Sequence, residues 1–135
     1  MRILVVEDEP DIQKLVSYYL ASLATCEAAL DGQTAVEKFS AALKSGRGFD
    51  LVLLDLMLPR LDGHQVLEKI RGLEHAQGRQ EADGVKIIIM TARDETRSVV
   101  RAFIHHCDSY LVKPFDQETL VEEIRELGLL PKSKV

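Results

Sequence analysis

Alternating strand and helix signals predict an α/β protein, a parallel sheet with helices on both faces. Three observations carry that expectation. Four short apolar runs are continuous rather than alternating, which is the pattern of strands covered on both sides. Amphipathic helical stripes fill the gaps between them. With one weaker strand included, the order is β-α five times over, so helices supply the crossovers that parallel strands require.

The first run is Ile3-Leu4-Val5-Val6. Ile12, Leu15, Val16, Tyr19 and Leu23 mark one face of the helix after it, with Pro10 in its first turn, where a missing N–H is tolerated. The weaker strand, Thr25–Ala29, comes next. An Asp31-Gly32 turn leads into a second helix through Ala35, Val36, Phe39 and Leu43. Leu51-Val52-Leu53-Leu54 is the third strand, and after Asp62-Gly63 a third helix carries Val66, Leu67, Ile70 and Leu73. Val85 with Ile87-Ile88-Ile89-Met90 marks the fourth strand, followed by a fourth helix through Val99, Val100, Phe103 and Ile104. Tyr110-Leu111-Val112 is the fifth strand. The fifth helix carries Leu120, Val121, Ile124 and Leu127, opened by Asp116 as N-cap and closed by Gly128. The stripe residues are assigned to the core. Between Gly72 and Gly84 a polar stretch rich in Gly, Gln, Glu and His reads as a long, exposed, mobile loop.

At 135 residues the chain is one domain, here 1–128 with a tail at 129–135, and can bury about two thirds of its unfolded surface. Seventeen Lys and Arg stand against 22 Asp and Glu, a net charge of -5. That balance speaks against a nucleic-acid surface or attraction to anionic membranes. No run approaches the roughly 20 apolar residues of a membrane span, and no signal peptide is visible, so a cytoplasmic chain is expected. Cys26 and Cys107, far apart in sequence, read as two buried free thiols in a reducing compartment, with a bridge between them as the alternative.

The polar residues at the strand ends carry the chemistry. Glu7 and Asp8 follow the first strand, Asp55 the third, Thr91 the fourth and Lys113 the fifth. In a parallel sheet all these ends lie on one edge, where doubly wound sheets bind ligands. A single Asp there is ordinarily a turn former or cap. Three crowded carboxylates repel unless a cation lies between them. The set suits divalent-metal phosphoryl transfer. Mg²⁺ takes about six oxygens near 2.1 Å, only one or two of them protein carboxylates. Asp8 and Asp55 supply these, and Glu7 holds a metal-bound water. Lys113 and Thr91 would bind the incoming phosphoryl group. If that group becomes covalent, Asp55 on the central strand is the nucleophile.

These residues lie in motifs that resemble a known family. Ile3-Leu-Val-Val-Glu-Asp-Glu-Pro10, Leu51-Val-Leu-Leu-Asp-Leu-Met-Leu-Pro59, Leu61-Asp-Gly63, Met90-Thr-Ala92 and Tyr110-Leu-Val-Lys-Pro-Phe115 look like the receiver (REC) domain of two-component response regulators, chemotaxis-regulator-like. The resemblance covers about residues 1–128. It implies a flavodoxin-like (βα)5 three-layer sandwich with sheet order 2-1-3-4-5. The chemotaxis member of this family has that order, which therefore rests on the resemblance and not on spacing. It further implies a phosphoacceptor that catalyses its own phosphorylation and dephosphorylation, taking phosphate onto Asp55 from a histidine kinase or phosphotransfer protein, with Mg²⁺ or Mn²⁺ as cofactor. Asp8 is then a direct metal ligand, Glu7 acts through water, and Met57 gives its backbone carbonyl. Thr91 and Lys113 contact the phosphoryl group, and Lys113-Pro114 is a cis peptide. Tyr110 matches an aromatic switch that turns inward when Thr91 moves, with simple strand packing as the alternative. The output passes to a downstream target protein or output domain, and the fourth helix, fifth strand and fifth helix form a homodimer face.

The chain departs from the family where His106-Cys107 replaces a small Gly-Ala type pair. Adjacent His105 and His106 diverge by about 100° at a helix end, which argues against shared metal ligation. Met57 and Arg93 border the approach of an in-line water, and neither can act as a base near neutral pH. Two enzyme classes fit less well. A dinucleotide enzyme needs a Gly-rich turn where this chain has Glu-Asp-Glu-Pro-Asp. A haloacid-dehalogenase-type phosphatase needs a second Asp where this chain has Met57. A third reading is a receiver-like module that never takes phosphate. Met1 directly before the first strand speaks against the receiver of a hybrid kinase, and the acidic charge and short tail lead to the expectation of a stand-alone receiver, with the N-terminal piece of a longer regulator as the alternative.

Overall fold

The computed structural model describes residues 1–58, 60–79, 84–92 and 107–131. Five strands, β1 (Arg2–Val6), β2 (Thr25–Ala29), β3 (Leu51–Asp55), β4 (Lys86–Ala92) and β5 (Ser109–Lys113), form one parallel sheet in the order β2-β1-β3-β4-β5. The helices described are α1 (Pro10–Leu20), α2 (Gly32–Lys44), α3 (Gly63–Ala76) and α4 (Gln117–Glu126), the last being the fifth helix expected from the sequence. The fourth expected helix lies outside the described residues, as do Arg93, His105 and His106.

The continuous apolar runs have a direct cause. Successive side chains of a strand point to opposite faces, and both faces here are covered. Leu4, Val6, Val52, Leu54, Ile87 and Ile89 face one core with α2 and α3. Ile3, Val5, Leu51, Leu53, Ile88 and Met90 face the other with α1 and α4. β2 is an edge strand, only its last residue is buried, and its sequence TCEAA accordingly carries a weak apolar signal.

Three of the four described helices start on a side-chain cap, and α1 starts on Pro10 without one. Asp31 accepts from the Thr34 N–H at 2.7 Å and Asp116 from the Thr119 N–H at 2.8 Å. Asp62 and Gln65 form a reciprocal capping box at 2.9 and 3.1 Å. Gly128, at φ 82°, follows the last helix as expected, and Lys113-Pro114 is cis. Leu129 and Leu130 pack against the α1–α4 core.

Three expectations need correction. The α1 stripe is rotated: Gln13, Val16 and Leu20 are buried, Leu15 is 46% exposed, and Leu23 lies beyond the helix. Helix rotation is set by the sheet it rests on, which local periodicity does not report. The cysteines are free but only half-buried.

The third correction concerns the stretch from Gly72 to Gly84, which is not a loop at its start. Helix α3 runs on to Ala76. Its last turns bury Arg71 and Glu74, whose side chains pair at 2.8 Å. The Val85 N–H donates to Glu74 at 2.6 Å, and Arg71 donates to the Val85 carbonyl at 2.9 Å. A polar pair satisfied this way is compatible with burial, so its polarity gives a misleading loop signal. A Cβ on Gly84 would stand 2.5 Å from Glu74 Oε1 and 2.6 Å from Arg71 Nη1, so the pair needs glycine there.

Candidate functional site

The carboxyl ends of β1, β3, β4 and β5 meet on one edge. Asp55 closes β3 and is 5% exposed. Its Oδ1 accepts from the Met57 N–H at 3.0 Å, which draws the chain into a turn directly after the strand. That turn continues through Arg60, a non-glycine residue at φ 70°, a conformation costing about 1 kcal/mol. The loop then returns to Gly63, where a Cβ would lie 2.6 Å from Leu56 Cα and 3.0 Å from the Asp55 carbonyl oxygen. Glycine therefore lets the start of α3 sit against the backbone that carries Asp55.

Glu7 is fully buried just past β1, and Asp8 beside it is exposed. Glu7, Asp8 and Asp55 each offer a carboxylate oxygen, all within 4.8 Å of one another. Lys113, at the end of β5, places Nζ 2.5 Å from Glu7 Oε2 and 3.2 Å from Asp55 Oδ2. Burial pushes the Glu7 carboxyl up to about 7; the Lys113 hydrogen bond opposes this and the Asp55 charge adds to it. Burial pulls the Lys113 ammonium down, but the Glu7 hydrogen bond and the Asp55 charge together hold it above its ordinary value.

Of the remaining residues singled out in the sequence, Thr91 is buried near the end of β4, and its hydroxyl donates to the Ala92 carbonyl at 3.3 Å. Tyr110 lies early in β5 beside Ile89 and is 42% exposed, so it does not pack as an ordinary core residue of the strand. Met57 is 66% exposed at the rim. The donor set is all oxygen, three carboxylates, which fits a hard cation such as Mg²⁺ and not a soft one.

One residue of the site region went unnoticed in the sequence. Gln13 is 5% exposed, and its side-chain amide reaches three backbone carbonyls around the β1 end. Its spacing of three and seven from Val16 and Leu20 is the signal that it shares their buried face.

A family model described as the response regulator receiver domain matches residues 3–125. The chain is 35% identical over 127 residues to the DNA-binding dual master transcriptional regulator RpaA of Synechocystis, covering 93% of this chain and 48% of that protein. It is 36% identical over 135 residues to the transcriptional regulatory protein TrcR of Mycobacterium tuberculosis, covering 98% and 46%. The chain thus spans about half the length of these curated relatives. Among solved structures it is similar to the Vibrio cholerae chemotaxis protein CheY4, with 25% identity, a TM-score of 0.70, and 93% and 96% coverage. It is also similar to a chain in the co-crystal of the Saccharomyces cerevisiae phosphotransfer protein Ypd1 with the receiver domain of Ssk1. There the identity is 28%, the TM-score 0.77, and the coverage 95% of this chain and 88% of that one.

Proposed function

The chain belongs to the receiver domains of response regulators, and from that premise we propose that Asp55 is its phosphoryl acceptor. Such a domain is a phosphoacceptor in two-component signalling, not an enzyme turning over a separate substrate. The observation that carries the assignment is Lys113, whose ammonium lies 3.2 Å from Asp55 Oδ2. Lys113 lies closer still to Glu7, at 2.5 Å, but Glu7 is fully buried, so Asp55 is the Lys113-paired carboxylate open to a donor, in a cluster that favours a divalent cation.

In the proposed reaction an Asp55 oxygen attacks the phosphorus of a donor phosphohistidine. An O–P bond forms, the P–N bond breaks, and the leaving imidazole takes up a proton. Asp8, Asp55 and the Met57 carbonyl, with Glu7 acting through water, would hold Mg²⁺ or Mn²⁺, which would neutralise charge on the transferring group. Lys113 pairs with a phosphoryl oxygen, and the Thr91 hydroxyl turns from Ala92 to another. Tyr110, exposed before phosphorylation, follows Thr91 inward. The donor is a sensor histidine kinase or phosphotransfer protein. It reaches Asp55 past α1, where the exposed Leu15 lines an apolar groove of about 120 Å³ between α1 and the turn at Pro114 and Phe115. The output goes to a downstream protein or output domain, and β5 and α4 contribute to a homodimer face. We place the protein in the cytoplasm; among the described residues no helix is long and apolar enough to cross a membrane.

Acetyl phosphate with Mg²⁺ tests the assignment. The wild-type chain is expected to gain one phosphoryl group by intact mass and Asp55→Asn none. Stoichiometric labelling of Asp55→Asn, or labelling of His64 instead, overturns it.

A further inference from the structure

The geometry points to Gln13 as a positioning residue for the acidic pair: its side-chain amide locks the Glu7–Asp8 peptide in the orientation that presents both carboxylates to a divalent cation. The inference rests on the reading of that pair as the metal site.

Gln13 is buried in the first turns of α1, behind the site. Its Nε2 lies 2.6 Å from the Val5 carbonyl oxygen, 3.1 Å from that of Ala29 and 3.3 Å from that of Glu7. Three acceptors around one nitrogen fix which end of the amide is the donor, since the oxygen in that place would face only other oxygens. These carbonyls sit where the sheet comes apart. Val6 pairs with Ala29 as the last register pair of β1 and β2, and one residue on the Glu7 N–H still bonds the Ala29 carbonyl at 3.0 Å. Beyond that point the β1 ladder has ended. The Glu7 carbonyl belongs to the Glu7–Asp8 peptide, and a trans peptide is a rigid plane. A bond to that oxygen therefore sets the direction in which Asp8 leaves the sheet, and the bonds to Val5 and Ala29 anchor Gln13 to the strands on either side.

The other end of the amide shows why a polar residue is there. Gln13 Oε1 is buried and has no hydrogen-bond partner among the described residues. A side chain present only to fill space would leave no such unsatisfied acceptor, and methionine has nearly the same length without one. What the amide adds is two N–H donors shared among the three carbonyls. Outer partners that orient metal-binding groups commonly change affinity by about 10- to 100-fold when removed.

The test compares three variants with the wild type by Mn²⁺ calorimetry, thermal melting and acetyl phosphate labelling. Gln13→Met keeps the volume and loses both donors; its Mn²⁺ Kd is expected to rise about tenfold. Gln13→Asn keeps the donors on a shorter stem and is expected to fall between the two. Val16→Ala, one turn further along the same helix in the core, lowers the melting temperature but leaves the Kd unchanged. Equal Mn²⁺ affinity in Gln13→Met and wild type overturns the inference, as does an equal loss in Val16→Ala. If Gln13→Met does not fold, a folded Gln13→Asn must bind more weakly than Val16→Ala; equal binding overturns the inference, and failure of both Gln13 variants to fold makes Gln13 a folding element and overturns it too. Failure of the wild-type chain to label would instead strike at Asp55 as acceptor, and is read separately.

Discussion

Lys113 holds Glu7 more closely than it holds Asp55, at 2.5 Å against 3.2 Å, although Glu7 is 106 residues away in sequence. The ammonium therefore stands between a fully buried carboxyl and the Asp55 carboxylate. This couples the site to pH, because burial has pushed Glu7 up to about 7.

The direction of that coupling is fixed. The folded value lies above the ordinary 4.5, so between the two the folded chain binds more protons than the unfolded one. The resulting stability is complete below about pH 4.5 and is lost as the pH rises through about 7. Metal binding favours the carboxylate and should run the other way, with Mg²⁺ affinity rising about tenfold between pH 6 and 8. Calorimetric titrations at the two pH values check this. A flat profile, or the same slope in Glu7→Gln, would show that Glu7 is not the titrating group.

Asp8 and Glu7 should differ in their effect on the metal. Asp8→Ala removes the proposed direct ligand and is expected to abolish binding at this site. Glu7→Gln should weaken it less, because its proposed role passes through a water. Equal losses in calorimetry would contradict the division.

The buried pair at the far end of the sheet should matter for stability and not for chemistry. Glu74→Ala leaves Arg71 buried and takes the acceptor from the Val85 N–H, with Asp108 still 3.5 Å from the guanidinium. A loss of about 3 kcal/mol is expected in urea unfolding. Gly84→Ala forces a methyl group against the same pair and should cost about 1–3 kcal/mol. Labelling rates should stay at the wild-type level in both. A slowed rate in a folded variant would mean that the two ends of the sheet communicate.

The phosphorylated state should be long-lived, for many minutes. Met57 is exposed at the rim of the site and has no group to orient an attacking water. Met57→Asn supplies one, and a tenfold faster loss requires only about 1.4 kcal/mol of barrier. A chase after donor removal measures both. A half-life of seconds in the wild-type chain, or no change in Met57→Asn, would rule out control by this side chain.

Local sequence was enough for the strands and for which residues gather at the site. Each apolar run alternates between two covered faces, and the first polar residue after it emerges on the same edge of a parallel sheet. That places Glu7, Asp8, Asp55, Thr91 and Lys113 together from strand positions alone. The sheet order came from family resemblance, because spacing does not rank strands. The tertiary structure decided matters that depend on how a helix is turned and what lies across from it. Leu15 is exposed and Gln13 buried because α1 rests on the sheet by one face of several that its composition allows. Arg71 and Glu74 look like loop polarity until the start of β4 supplies their partners. The Lys113 preference for Glu7, and the Gln13 grip on the Ala29 carbonyl 16 residues on, are bonds between distant parts of the chain. Their geometry exists only once the backbone has brought those parts within about 3 Å, the range in which a hydrogen bond forms.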